Sequence, residues 1–256
     1  MTKVTGVLLD LSGVVFSGDE AIIGAVEAIN DLRSHGIPLC FVTNTTSMPV
    51  RGLLEKLHLL GIAASRKDIF TPAVAARRLV MQHGLSPHLL VHPNLLEDFD
   101  ELSADRPNAL IIGDAGSGFS YHALNDAFRI IDAGAEFIAL ACNRTFRDTD
   151  GELSLDAGPF VKALEFATRR EALVLGKPAP SFYAEAVAHL GTANPETVMI
   201  GDDVESDVAG ALHAGLQGLL VRTGKYRSGD EGLIDRPPTA VLADLREAVN
   251  WILDKS

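Results

Sequence analysis

Asp10, Thr43 and the pair Asp202-Asp203 are the residues that could do chemistry, because each follows a short apolar run that predicts a buried strand. Taken singly, an aspartate after a strand is more often a turn former or a helix cap. Together, these four polar positions converge on one edge of a sheet, where α/β folds hold their ligands. Gathering Asp10, Asp202, Asp203 and Asp207 in one cleft is unfavourable, since like charges ~4 Å apart repel by about 1 kcal/mol in water and about 4 kcal/mol at an effective dielectric of 20. A divalent cation relieves that repulsion. An oxygen-only donor set with no neighbouring His or Cys constellation points to magnesium rather than zinc. Gly201 then lets the backbone turn close to the ion.

The elements that must position these residues alternate along the chain. Val4 to Leu11 is rich in Val and Leu, as a strand buried on both faces is, and Ser12-Gly13 supplies the turn after it. Ile22, Ile23, Val26, Ile29 and Leu32 recur at helical spacing before Gly36, a left-handed cap. Ile37 to Val42 reads as the next strand, and a helix opened by Ser47 and Pro49 carries the stripe Leu53, Leu54, Leu57 and Leu60 to Gly61. The rhythm returns with a strand at Thr197 to Ile200, a helix at Ser206 to Ala214, a strand at Gly218 to Val221 and a helix at Ala243 to Leu253. Parallel strands need crossover helices, so this order implies an α/β fold with a parallel sheet. Residues 1–78 and 176–256 form the expected core, and 79–175 are long enough to be an inserted α/β domain of their own. The insert carries strand patterns near Leu89, at Ala109 to Ile112 and at Phe137 to Ala141, with helices from Tyr121 and Pro159.

A balance of 47% hydrophobic and 22% charged residues over 256 residues is that of a globular, enzyme-sized chain with a full core. The formal net charge of -12 argues against a nucleic-acid partner, which would need clustered Lys and Arg. Cys40 and Cys142 are the only cysteines and have no CxxC spacing. A disulfide framework is therefore not expected, and a reducing cytoplasm fits. Asp10 interrupts the apolar start of the chain and no small-residue cleavage site follows, so the segment reads as a strand rather than a signal peptide. No membrane is expected either, since no apolar run approaches the ~20 residues of a span.

Asp10-Leu11-Ser12-Gly13-Val14, Thr43-Asn44, Lys177-Pro178 and Gly201-Asp202-Asp203 with Asp207 resemble, in that order, the four motifs of the haloacid dehalogenase superfamily. The large insert after the second motif, and Asp114 followed by Phe119-Ser120-Tyr121, are similar to its p-nitrophenylphosphatase-like branch. The resemblance implies a Rossmann-like parallel-sheet core with an inserted α/β cap domain, and a magnesium-dependent phosphohydrolase acting on a small phosphorylated substrate. Carried over residue by residue, it makes Asp10 the nucleophile that forms an aspartyl-phosphate. Lys177 would neutralise charge on Asp10 and on the transferred group. The implied substrate-binding set is Ser12, Thr43, Asn44 and Lys177, with Thr43 and the Asn44 backbone on the phosphoryl oxygens. Mg2+ would fall to Asp10, the backbone carbonyl of Ser12 and Asp202, with Asp203 and Asp207 orienting waters and ligands behind them. In the insert, Asn143, Arg144 and Arg147 are expected to touch the rest of the substrate. A homodimer through the insert is expected on the resemblance alone. Gly113-Asp114-Ala115-Gly116-Ser117-Gly118 lacks a Gly-Lys-Ser/Thr ending and reads as a turn of the insert rather than a nucleotide loop.

One departure bears on function. Most phosphatases of the superfamily carry a second aspartate two residues after the nucleophile, as general acid for the leaving group, and here that residue is Ser12. General acid catalysis is worth about 10² to 10⁴ in rate, roughly 3 to 5 kcal/mol of barrier. Its loss hurts alkyl phosphates most. Pyrophosphate, aryl phosphates and phosphorus-nitrogen bonds leave more easily, because the departing group is stabilised or already protonated. The expected function is therefore a phosphohydrolase favouring good leaving groups. The competing expectation is a phosphate-binding or regulatory module that keeps the pocket and has lost turnover. A metal-independent dehalogenase has no use for so dense an acidic cluster.

Overall fold

The structure is a computed structural model that describes residues 3–102, 105–147 and 152–255. The chain divides into two compact units. The first comprises Met1–Thr43, Val50–Phe70 and Lys177–Ser256; the second comprises Asn44–Pro49 and Thr71–Gly176. The second unit thus begins ahead of residue 79, because the helix Pro72–His83 belongs to it entire.

The first unit is built on a six-stranded sheet. From one edge its order is Ala240–Leu242, Gln217–Val221, Thr197–Gly201, Gly6–Asp10, Leu39–Val42 and Ile69–Phe70. Every neighbouring pair is parallel. Helices on a parallel sheet cover both of its faces, and the central strands are accordingly apolar and buried at every position up to their ends. Register sets the site: Leu9 pairs with Ile200, and Asp10 with Val42. Asp10 therefore closes its strand beside the points where Thr43 and Asp202 begin the adjoining loops. The helices Ala25–Ser34 and Leu245–Leu253 lie against each other.

Two helices go beyond those read from sequence. Pro72–His83 starts with Pro72 behind Thr71, whose side chain accepts the Val74 N–H at 3.2 Å, and it ends on left-handed Gly84. Pro180–Leu190 likewise opens on a proline and ends on left-handed Gly191. The helix expected from Ser206 begins earlier and is wider at its start. Val204–Ala209 is a π-helical stretch that runs into the short α-helix Gly210–His213. The fully buried Tyr183 explains the widening, since its hydroxyl donates to the carbonyls of both Ser206 and Asp207. A polar group inserted into the carbonyl ladder produces such a bulge.

The second unit has its own parallel sheet, ordered Leu173–Val174, Glu136–Ala139, Ala109–Ile112 and Pro87–Leu90. Leu110, Ile112, Ala127, Ile131, Phe137, Val161 and Leu164 form its core, drawn from that sheet and from the helices Tyr121–Asp132 and Ala157–Thr168. Among the described residues no helix is long and apolar enough to cross a membrane.

Candidate active site

Asp10 ends its strand buried, and Lys177 approaches it from the other end of the sequence. Lys177 Nζ lies 2.5 Å from Asp10 Oδ1 and 2.7 Å from Asp207 Oδ1. All three residues are at most 7% exposed. The second oxygen of Asp10, Oδ2, has no hydrogen-bond partner among the described residues. Asp207 is engaged through both oxygens, since its Oδ2 accepts the Asp203 N–H at 3.1 Å. It therefore serves as the anchor of Lys177 and of the acidic loop.

Asp202 is 2% exposed and accepts the backbone N–H of Lys225 on Oδ2 at 2.6 Å. Asp203 points elsewhere. Its Oδ1 accepts the N–H groups of Glu205 and Ser206, capping the π-helical stretch, and its Oδ2 lies 3.0 Å from Lys225 Nζ. Gly201 has a different cause from the one read in sequence. A Cβ on Gly201 would meet Asp207, so what the missing side chain admits is that carboxyl group.

Thr43 is buried just past its strand, and its N–H bonds to Phe70 O at 3.4 Å. Ser12 is exposed, and among the described residues no hydrogen bond ends on its hydroxyl or its carbonyl. Asn44, Asn143 and Arg144 belong to the second unit. Asn143 and Arg144 are exposed there, and their carbonyls accept the N–H groups of Gly158 and Asp156. The side chain of Arg147 lies outside the described residues.

The electrostatics are those of a site short of positive charge. Burial raises Asp10 above the ordinary carboxylate value, although Lys177 pulls the other way. Burial likewise raises Asp202, and it pushes Asp207 up to about 6 against the pull of Lys177. For Lys177 burial alone would lower the pKa, but the carboxylates of Asp10 and Asp207 outweigh it, so the ammonium is held above its ordinary value. Burial also works against ionised Asp203, but the Ser206 N–H and the Lys225 ammonium win and lower it.

A divalent cation fits this donor set. Asp10, Asp202 and Asp207 bring carboxylate oxygens within 4.8 Å of one another, all buried. Because both Asp207 oxygens are engaged, Asp10 and Asp202 are the carboxylates with oxygen left for an ion. An all-oxygen set suits Mg2+. Tyr183, Thr223, Gly224 and Lys225 also shape the site and were not singled out in the sequence. The one sequence signal, for the last three, was a glycine in a Thr-Gly-Lys loop one residue past a strand.

Family models agree with the geometry. Residues 7–104 match "Haloacid dehalogenase-like hydrolase" and residues 174–248 match "HAD-hyrolase-like". The chain is 45% identical over 247 residues to haloacid dehalogenase-like hydrolase domain-containing protein 2 of Bos taurus, covering 96% of this chain and 95% of that one. It is 40% identical over 259 residues to the phospholysine phosphohistidine inorganic pyrophosphate phosphatase of Bos taurus, covering 99% and 96%. Among solved structures, the p-nitrophenyl phosphatase from Archaeoglobus fulgidus superposes with a TM-score of 0.89 at 24% identity over 97% of this chain and 99% of that one, a likeness of fold. A thermostable NPPase from Geobacillus stearothermophilus does so with a TM-score of 0.84 at 28% identity over 96% and 98%. With relatives this similar over nearly its whole length, the chain belongs to the haloacid dehalogenase-like hydrolase family, in its p-nitrophenylphosphatase-like branch.

Proposed function

We propose that the protein is a magnesium-dependent phosphohydrolase that carries the phosphoryl group on Asp10. The observation that supports this most is the division of labour on one carboxylate: Oδ1 of Asp10 is held by Lys177, while Oδ2 has no partner among the described residues. Asp10, the Ser12 carbonyl and Asp202 would hold Mg2+, which when bound supplies positive charge against the carboxylates and the phosphoryl oxygens.

The Asp10 carboxylate attacks phosphorus and forms a bond to it. The bond from phosphorus to the leaving atom breaks, and its electron pair departs with the leaving group. Water then attacks the phosphorus of the aspartyl-phosphate, which releases inorganic phosphate and restores the Asp10 carboxylate. Thr43 and the Asn44 backbone orient the phosphoryl oxygens, and Lys177 offsets charge that builds on them. Asp207 holds Lys177 in place, and Asp203 holds the turn that carries Asp207.

Ser12 cannot protonate a leaving group as a carboxylic acid does, so pyrophosphate, aryl phosphates and phosphorus-nitrogen bonds are the proposed substrate classes. The name of the phospholysine phosphohistidine inorganic pyrophosphate phosphatase, 40% identical, supports that direction. The inserted unit acts as a cap in this reading, with Asn143 and Arg144 contributing to substrate choice. The test is Asp10→Asn. Magnesium-dependent phosphate release from pyrophosphate, imidodiphosphate and p-nitrophenyl phosphate should vanish in a variant that folds as the wild type does. An unaffected rate removes the proposal.

A further inference from the structure

The loop Thr223-Gly224-Lys225 follows the strand Gln217–Val221 and touches both halves of the acidic site. Thr223 Oγ1 donates to the carbonyl of Gly13, in the turn after Asp10, at 2.5 Å. The backbone N–H of Lys225 donates to Asp202 Oδ2 at 2.6 Å. Two glycines enclose that same oxygen. A Cβ on Gly13 would lie 2.0 Å from Asp202 Oδ2, and one on Gly224 would lie 1.9 Å from it. Both glycines have positive φ, 86° and 59°, a region that side chains resist.

We propose that Thr223-Gly224-Lys225 is a positioning hook: it fixes the Asp202 carboxylate by one oxygen and ties the Asp10 turn to it, so that the other oxygen faces the cation. The inference rests on the reading of Asp10 and Asp202 as magnesium ligands. Its physical content is preorganisation. The terminal torsion of an aspartate is broad, and a carboxylate with free rotation must be ordered when the ion arrives. Here a hydroxyl, an amide and two absent side chains have ordered it beforehand, which lowers the cost of binding. The Lys225 ammonium contributes little to this, because its side chain is 71% exposed and its pairing with Asp203 is screened by water.

The experiment is a calorimetric Mg2+ titration of the full chain as wild type, Thr223→Ser, Thr223→Val and Gly224→Ala, with metal-free thermal unfolding measured alongside. Groups that orient metal ligands are typically worth about 10- to 100-fold in affinity, and Thr223→Val and Gly224→Ala should lose that much. Thr223→Ser keeps the hydroxyl and should bind as the wild type does. A folded Thr223→Val with wild-type affinity overturns the hook alone, as does a Thr223→Ser no better than Thr223→Val. A Thr223→Val that does not fold without the ion also overturns it, because the hydroxyl then holds the fold rather than the carboxylate. If Gly224→Ala does not fold, the Thr223 pair decides. A wild type that binds no Mg2+ overturns both this inference and the reading beneath it.

Discussion

The carboxyl group of Asp207 occupies the space that a side chain on Gly201 would fill, so that a Cβ there would lie 2.3 Å from Asp207 Cγ. Gly201 ends its strand, and its backbone is fixed by pairing with Leu220. Asp207 must therefore give way in Gly201→Ala. Forcing an extra methyl into a filled site costs about 1–3 kcal/mol. The variant should unfold at a lower temperature and release phosphate more slowly, since Lys177 loses the alignment of its Asp207 partner. A wild-type unfolding midpoint and turnover would show that the strand end can yield instead.

Burial raises Asp207 from 3.8 to about 6, and it raises Asp10 and Asp202 in the same direction. A carboxyl group whose folded pKa exceeds its unfolded value binds its proton more tightly in the folded state. Its contribution to stability is complete below the unfolded value and is lost as pH rises through the folded one. For Asp207 that window runs from 3.8 to about 6. Across it, the metal-free wild type should lose stability relative to Asp207→Asn, and Mg2+ should restore stability to the wild type above it. Unfolding midpoints of both proteins, with chelator and with Mg2+, check this. A wild type that gains stability relative to Asp207→Asn as pH rises in chelator would contradict it.

Lys177 stands between two buried carboxylates at 2.5 and 2.7 Å. Removing one partner of a buried ion pair costs about 3–5 kcal/mol, because the charge left behind is uncompensated. Lys177→Met should lose stability on that scale in urea, and phosphate release with it. Lys177→Arg should not rescue activity, since a planar guanidinium cannot replace a compact ammonium in a space 5% exposed. Full turnover by Lys177→Arg would show that the charge alone suffices.

The sequence made the sheet legible because buried parallel strands are uninterrupted apolar runs, and the polar residue that ends each run is conspicuous. Asp10, Thr43 and Asp202 stand out for that reason, and the structure brings Asp10, Asp202, Asp207 and Lys177 together. The helix Pro72–His83 was not read from sequence, although Thr71-Pro72 at its start and Gly84 at its end made it legible. Three other features were not legible. Lys225 acts through a backbone N–H, which every non-proline residue carries. Tyr183 sits among the core residues of its helix, and only its partners distinguish its hydroxyl from ordinary burial. The π-helical turn at Val204–Ala209 depends on that hydroxyl and leaves no periodic trace of its own.

Ser12 is exposed two residues beyond Asp10, and no hydrogen bond ends on its hydroxyl among the described residues. An exposed position can take a larger side chain without overpacking, so Ser12→Asp should fold. The new carboxyl group could protonate a departing alkoxide, a service worth about 10² to 10⁴ in rate. Pyrophosphate and phosphorus-nitrogen compounds need that help least. Ser12→Asp should therefore raise kcat/KM for alkyl phosphates and leave the other classes nearly unchanged, which compresses the ratio between them. Rates measured on one substrate of each class, in wild type and variant, give that ratio directly. If it stays the same in a folded, magnesium-binding variant, the preference for good leaving groups does not originate at Ser12.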